Sequence, residues 1–145
     1  MQKIEIFKMT LQDFAQIEKN LMSDFDDFWT PAILKSEIVA ENRSYIVAKQ
    51  NGEIVGFAGV MYNFPAIEIM NIVTKKDCRG NGIGKKMLQA ILENAEKNQF
   101  TEIFLEVNEK NKIAKSLYEN AGFCQIGERK TYYGDENAIL MAKKA

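Results

Sequence analysis

The sequence predicts an α/β fold with a mixed central sheet and helices on both faces. Short alternating apolar runs are interleaved with segments of helical apolar spacing, in the order β-α-α-β-β-β-α-β-α-β-β. Asn51-Gly52 stands between two apolar runs, the strongest short hairpin signal because both turn positions need positive φ. Hydrophobic residues make up 46% of the 145 and charged residues 27%, a balance that fills a core and argues against disorder. No repeat, low-complexity tract or long linker divides the chain, so residues 1–145 are expected to form one domain.

Each element has its own signal. Lys3-Ile4-Glu5-Ile6-Phe7 alternates as a half-buried strand does. Thr10 takes an N-cap position ahead of Leu11, Phe14, Ile17 and Leu21 at helical spacing. Ser23 to Trp29 reads as an acidic and aromatic linker, and Pro31 suits the first turn of a helix carrying Ile33, Leu34 and Ile38. Ser44–Lys49 and Glu53–Val60 form the hairpin, and Ile67–Val73 a further strand. After a glycine-rich loop, Met87, Leu88, Ile91, Leu92 and Ala95 line one helix face. Ile103-Phe104-Leu105-Glu106-Val107 is a nearly continuous apolar run, expected to be buried inside the sheet. Asn111 caps a helix over 112–120 that Gly122 ends, and Phe123–Arg129 and Ala138–Met141 close the chain as strands.

Two counts exclude whole classes of chemistry. There is no histidine, so histidine-based triads and histidine-ligated metals are impossible, and any general base is a carboxylate, tyrosine, cysteine, lysine or water. The two cysteines, Cys78 and Cys124, are too few for a disulfide scaffold or structural zinc; both read as structural, and no metal is expected. With no leader-like start or long apolar run, the setting reads as reducing and cytoplasmic. Nineteen basic against twenty acidic residues give a net charge of −1, which draws the whole chain neither to nucleic acid nor to an anionic membrane.

The most informative stretch is Cys78-Arg79-Gly80-Asn81-Gly82-Ile83-Gly84-Lys85, between a strand and an amphipathic helix. Three glycines leave backbone N–H groups uncovered, and a helix N-terminus adds the positive end of its dipole. Arg79 and Lys85 add charge, so the stretch reads as a pyrophosphate cradle; a plain glycine-rich connection is the simpler alternative. It is no P-loop, because Gly84-Lys85 is followed by Lys86 and Met87 and no hydroxyl is placed for magnesium. Nor do glycines at 80, 82 and 84, after the fourth strand, fit a dinucleotide fingerprint.

Arg79-x-x-Gly82-x-Gly84 resembles the Q/R-x-x-G-x-G/A motif of the GNAT N-acetyltransferases, in which that loop holds the pyrophosphate of acetyl-CoA. Met70-Asn71-Ile72-Val73 is similar to that family's cofactor-binding strand. Leu105-Glu106-Val107-Asn108, Asn111, Leu117-Tyr118-Glu119 and Gly122-Phe123 resemble its second half, so the likeness spans essentially the whole chain. Glu106, Asn111, Tyr118 and Arg129-Lys130-Thr131-Tyr132-Tyr133 resemble the RimI branch, the ribosomal-protein-alanine N-acetyltransferases. The resemblance implies a mostly antiparallel GNAT-type sheet and acetyl-CoA as co-substrate. It implies cofactor contacts from Ile72, Val73, Thr74, Arg79, Gly80, Asn81, Gly82, Ile83, Gly84, Lys85 and Asn111.

It also makes Glu106 the general base, acting through water, and Tyr118 the general acid for the departing thiolate. A backbone N–H near Val73 would hold the oxyanion, and transfer would be direct, with no acetyl-enzyme. Read from the residues alone, Glu106 is equally a solvent-facing or ion-paired strand carboxylate, and Tyr118 an aromatic core plug. Asn111 is compatible with both a helix cap and a cofactor contact. An α-amino group, with a pKa of about 8, sits two to three units below a lysine amine and needs only a modest base.

The implied acceptor is the N-terminal amine of a protein, typically the alanine of a small-subunit ribosomal protein, on an enzyme that is a monomer or weak dimer. Asp24, Asp26 and Asp27 with Phe25, Phe28 and Trp29 would form an acidic docking surface, and Tyr132 and Tyr133 would line the peptide slot; a solvated loop and core strand residues are the simpler readings. Lysine side chains, polyamines and small amines stay open as acceptors. Two further classes remain, a non-catalytic acyl-CoA sensor and a generic nucleotide-binding domain.

Overall fold

The computed structural model describes residues 3–25, 30–134 and 136–145, with no side-chain description for 131–133. Strands β1 (Ile4–Lys8), β2 (Arg43–Gln50), β3 (Glu53–Asn63), β4 (Ala66–Thr74), β5 (Glu102–Asn108), β6 (Cys124–Tyr133) and β7 (Glu136–Lys144) join in one sheet. Its order is β1-β2-β3-β4-β5-β7-β6, and every pair is antiparallel except β4–β5. The helices are α1 (Leu11–Ile17), α2 (Pro31–Val39), α3 (Ile83–Lys97) and α4 (Lys112–Asn120).

Local chemistry sets the boundaries as expected. Thr10 and Asp13 form a reciprocal capping box, with Asp13 N–H donating to Thr10 Oγ1 at 3.0 Å and Thr10 N–H to Asp13 Oδ2 at 2.9 Å. Burial alone would raise the Asp13 carboxyl; the Thr10 amide and hydroxyl and Lys49, 3.0 Å away, outweigh it and hold the group below its ordinary value. Thr30 caps α2 with Pro31 in its first turn, and Asn51 and Gly52 take φ of 54° and 76° in the hairpin turn.

Two cores flank the sheet. On one face Ile83, Met87, Leu88, Ile91 and Ala95 of α3, with Tyr118 of α4, pack on Ile67, Ile69, Leu105, Val107, Ile139 and Met141. On the other, Phe14, Ile17, Leu21, Phe25 and Leu34 pack on Tyr45, Val47, Phe57 and Val73. Helices therefore cover both faces.

The structure departs from the sequence reading in two elements. The first helix does not run to Leu21: α1 stops at Ile17, and a 3-10 turn (Glu18–Asn20) and a π turn (Leu21–Phe25) follow. Leu11 is 48% exposed, whereas the wider π turn sets both Leu21 and Phe25 into the core, Phe25 5.7 Å from the Phe57 ring. Phe25 is thus a core residue and not part of a docking surface; Asp26, Asp27, Phe28 and Trp29 lie outside the described residues. In β5, Ile103, Leu105 and Val107 are buried on the α3 face, while Phe104, Glu106 and Asn108 are half-buried on the other. The strand alternates because its two faces meet different surroundings.

One irregularity shapes the site. The β4–β5 ladder runs from Ala66 opposite Glu102 to Ile69 opposite Leu105 and ends there. Opposite β3, Ile69 pairs with Val60 and Asn71 with Gly59, so Met70 is an extra residue, a β-bulge. A bulge bends its strand. From Met70 to Thr74, β4 leaves β5, and among the described residues its edge on that side has no strand partner.

Candidate active site

The glycine-rich loop joins this parting strand to α3. Gly80 and Gly82 have φ of 83° and 77°, the left-handed region that only glycine enters without strain, and among the described residues nothing beyond the chain neighbours lies within 4 Å of where a Cβ would stand on either. Side chains cap α1, α2 and α4, through Thr10, Thr30 and Asn111, but none caps α3. Its first backbone bond runs from Lys86 N–H to the Gly82 carbonyl at 3.0 Å, leaving the amides of the first turn without an intrahelical partner. These are uncovered donors at the positive end of a fifteen-residue helix, which is the chemistry a diphosphate needs.

The neighbours hold the loop in place. The Asn81 amide donates to the Cys78 carbonyl at 2.9 Å, closing the turn. Gly84 lies against β4 and α4: a Cβ there would meet Leu117 Cδ2 and Thr74 Oγ1 at 3.7 Å and Ile72 Cγ2 at 3.9 Å. Ile72 and Thr74 therefore face the loop, whereas Val73 is buried in the opposite core and contributes its backbone. Arg79 donates to the Phe25 carbonyl at 3.4 Å, tying the loop to the π turn. Lys85 lines a cavity of about 300 Å³ between α3 and α4, together with Leu88, Leu92, Leu117 and Asn120. A cavity of about 330 Å³ under the C-terminal half of α3, between Ile6, Ile46, Tyr62 and Ala90, lies away from the loop and gathers no catalytic set.

Glu106 follows Leu105, the last residue of β5 that pairs with β4, and so stands at the opening of the gap while still paired with Leu140 of β7. Its Oε1 lies 3.0 Å from Arg129 Nη2 on β6, with the carboxylate side chain 21% and the guanidinium side chain 56% exposed. The odd strand carboxylate is thus ion-paired and reachable from solvent. Asn111 Oδ1 accepts from Ala114 N–H at 3.1 Å, as a helix cap does.

Tyr118 is buried, edge-on to Phe123 at 5.8 Å, and flanked by partly buried Ala114, Leu117 and Ala121. Burial pushes its phenol up to about 12, so it stays protonated at every physiological pH. The folded chain keeps this proton after an unfolded tyrosine, near 10, has lost it, so the associated stability is complete below pH 10 and drains away toward pH 12. Alkaline titration followed by circular dichroism is expected to show a Tm falling above pH 10, by less in Tyr118→Phe than in wild type. The Tyr45 phenol is raised as well, by burial and by the Glu37 carboxylate it donates to at 3.1 Å, so the Phe variant keeps part of the effect.

Glu106 and Tyr118 lie on opposite faces of the sheet. Tyr118 packs with Leu105 and Val107, and β5 alternation sends Glu106 to the other side. The gap between β4 and β5 is the passage between them, and the glycine loop lies at the end of the strand that bounds it. The Cys78 thiol is raised by burial and by Asp77, so it is a poor nucleophile; Cys124 is exposed at the start of β6. Asn71 falls in the segment similar to the cofactor-binding strand, but sequence reasoning assigned its side chain no role; its amide is buried in β4, and the signal was a polar residue inside Ile69–Val73.

An uncapped helix behind a glycine loop, on a mixed sheet parted beside it, defines a class of site that takes a diphosphate-bearing ligand next to a strand gap. The chain belongs to the acetyltransferase (GNAT) family, which it matches over residues 10–123, and is an acetyl-CoA-dependent N-acetyltransferase. It is 32% identical over 126 residues to the N-alpha-acetyltransferase RimI of Mycobacterium tuberculosis (strain ATCC 25618 / H37Rv), covering 84% of this chain and 77% of that one. It is 28% identical to the putative ribosomal protein bS18-alanine N-acetyltransferase of Bacillus subtilis (strain 168), over 96% of this chain and 94% of the relative. The crystal structure of the ribosomal-protein-S18-alanine N-acetyltransferase from Escherichia coli superposes with a TM-score of 0.89 at 25% identity, covering 98% and 94% of the two chains. Among the described residues, no helix is long and apolar enough to cross a membrane.

Proposed function

We propose that this enzyme transfers the acetyl group of acetyl-CoA directly to the N-terminal α-amine of a protein, a ribosomal protein's N-terminal alanine being the natural acceptor. The observation that carries the reading is the parted β4–β5 pair, with a reachable carboxylate on one face and a neutral, buried phenol on the other. The relatives named for this reaction support the choice of acceptor.

The residues divide the work. The free amides of Gly82 to Lys85 hold the diphosphate, and Arg79 and Lys85 add positive charge beside it. Ile72, Thr74 and the α3–α4 cavity guide the pantetheine arm toward the gap. Acetyl-CoA supplies an activated thioester. Edge amides of β4 near Val73, unpaired on the β5 side, donate to the carbonyl oxygen as charge builds there. Glu106 takes the ammonium proton through a water, and Tyr118 gives its proton to the leaving sulfur from the opposite face. A base and an acid on opposite faces suit a displacement in which the amine enters on one side and the thiolate leaves on the other.

The test is acetyl-CoA turnover, followed by thiol release, with a peptide beginning in alanine and with the same sequence Nα-blocked and bearing one lysine. Mass spectrometry is expected to find the acetyl group on the free α-amine. Acetylation confined to the lysine side chain would overturn the assignment, and coenzyme binding without turnover on any amine would mark a sensor.

A further inference from the structure

Asn71 is the one side chain among the described residues whose buried polar atoms lack a hydrogen-bond partner: neither Nδ2 nor Oδ1 has one, and both are closed off from water. Buried amides are almost always satisfied, so an orphaned one calls for a reason. Its place in the fold supplies one. Asn71 comes directly after the bulged Met70, where β4 has left β5. It pairs with Gly59, and a Cβ on Gly59 would lie 2.2 Å from Tyr45 Cζ, so Asn71 projects to the face that carries Tyr45. Glu106 projects to that same face from the other side of the gap. The nearby side chains of that face, Tyr45, Phe57 and Val73, form an apolar core in which leucine would fit better than asparagine.

We propose that Asn71 recognises the first peptide unit of the acceptor and thereby selects an amine that has an amide beside it; this rests on the α-amine reading above. A carboxamide offers one acceptor and a pair of donors, the complement of a peptide N–H and C=O. Beyond Ile69 the two strands are further apart than the about 4.8 Å of a paired ladder, and one extended residue spans about 3.5 Å, so an amine held at Glu106 has its first peptide unit in the gap, on the side of Asn71. An entering chain reaches the amide by parting the side chains above it. A lysine side chain has four methylenes where this amide should be, and a polyamine has no amide at all.

The experiment compares Asn71→Leu and Asn71→Ala with wild type, using acetyl-CoA and the alanine-initiated peptide. Both variants are expected to raise the peptide KM about ten-fold or more, with a smaller change in kcat and no change in acetyl-CoA affinity. Asn71→Leu, which removes the unsatisfied amide at similar volume, is also expected to raise the Tm of the ligand-free protein. An unchanged KM in both variants would overturn the proposal. So would a fall in kcat at constant KM, which would assign Asn71 to a water or to Glu106, or a lower Tm in both variants, which would make it structural. If wild type acetylates only the lysine peptide, the α-amine reading falls first and this one with it; if wild type acetylates the α-amine and the variants keep its KM, only the role of Asn71 falls.

Discussion

Glu106→Gln is expected to lower turnover by about 100- to 10,000-fold, the usual contribution of a positioned general base, while acetyl-CoA affinity stays close to wild type. The split follows from geometry. Glu106 lies on the face opposite Tyr118 and the Ile72 and Thr74 side chains that meet the loop, so its carboxylate has no part in holding the coenzyme. Glutamine keeps the shape of the side chain and can still accept a hydrogen bond, but it cannot take a proton. The residual rate of the variant should climb about ten-fold per pH unit up to about pH 8, as the free fraction of an α-amine grows, and then level off. Stability should hardly move, because a pair whose guanidinium is 56% exposed contributes at most about 1 kcal/mol. Thiol release from pH 6 to 9, beside isothermal titration with acetyl-CoA, checks both halves. A normal rate in a folded Glu106→Gln protein would leave Glu106 as a strand carboxylate paired to Arg129 and nothing more.

What the sequence disclosed about this site was local chemistry, and what it withheld was the relation between strands. Asn51-Gly52, Thr10, Asn111 and Gly122 each act within a few residues of themselves, and each does what its residue type dictates. The glycine loop was legible for the same reason, since positive φ at Gly80 and Gly82 is a property of those two positions. The end of α1 was not, because Phe14, Ile17, Leu21 and Phe25 fit a regular helix as well as they fit a helix that widens into a π turn. The parting of β4 from β5 has no residue signature either. It arises from a bulge at Met70, an ordinary strand residue, and from where a parallel ladder stops. Glu106 stood out as a carboxylate in an apolar run and through the family resemblance, and Asn71 only as one residue of the segment similar to the cofactor-binding strand; that they share one face of one gap follows from the bulge, which shifts the alternation of β4 by one residue.

Gly82→Val is expected to weaken acetyl-CoA binding by about ten- to hundredfold while the fold persists. At φ 77° a β-branched residue is strained by roughly 1–3 kcal/mol. Among the described residues nothing beyond the chain neighbours lies within 4 Å of the added Cβ, so the effect comes from the backbone and not from a collision with a packed neighbour. Valine relieves the strain by turning residue 82 out of the left-handed region, which swings the first amides of α3 off their common focus. It also places methyl groups where the coenzyme must approach those amides. Gly52 provides the control, because it too has a positive φ, 76°, and open space around its missing Cβ, but it belongs to the β2–β3 hairpin turn. Gly52→Val should lose a similar amount of stability and bind acetyl-CoA as wild type does. Titration of the two variants with acetyl-CoA, beside thermal melts, separates backbone strain from the cradle: equal affinity in both would mean that the loop does not hold the diphosphate, whatever the loss in Tm.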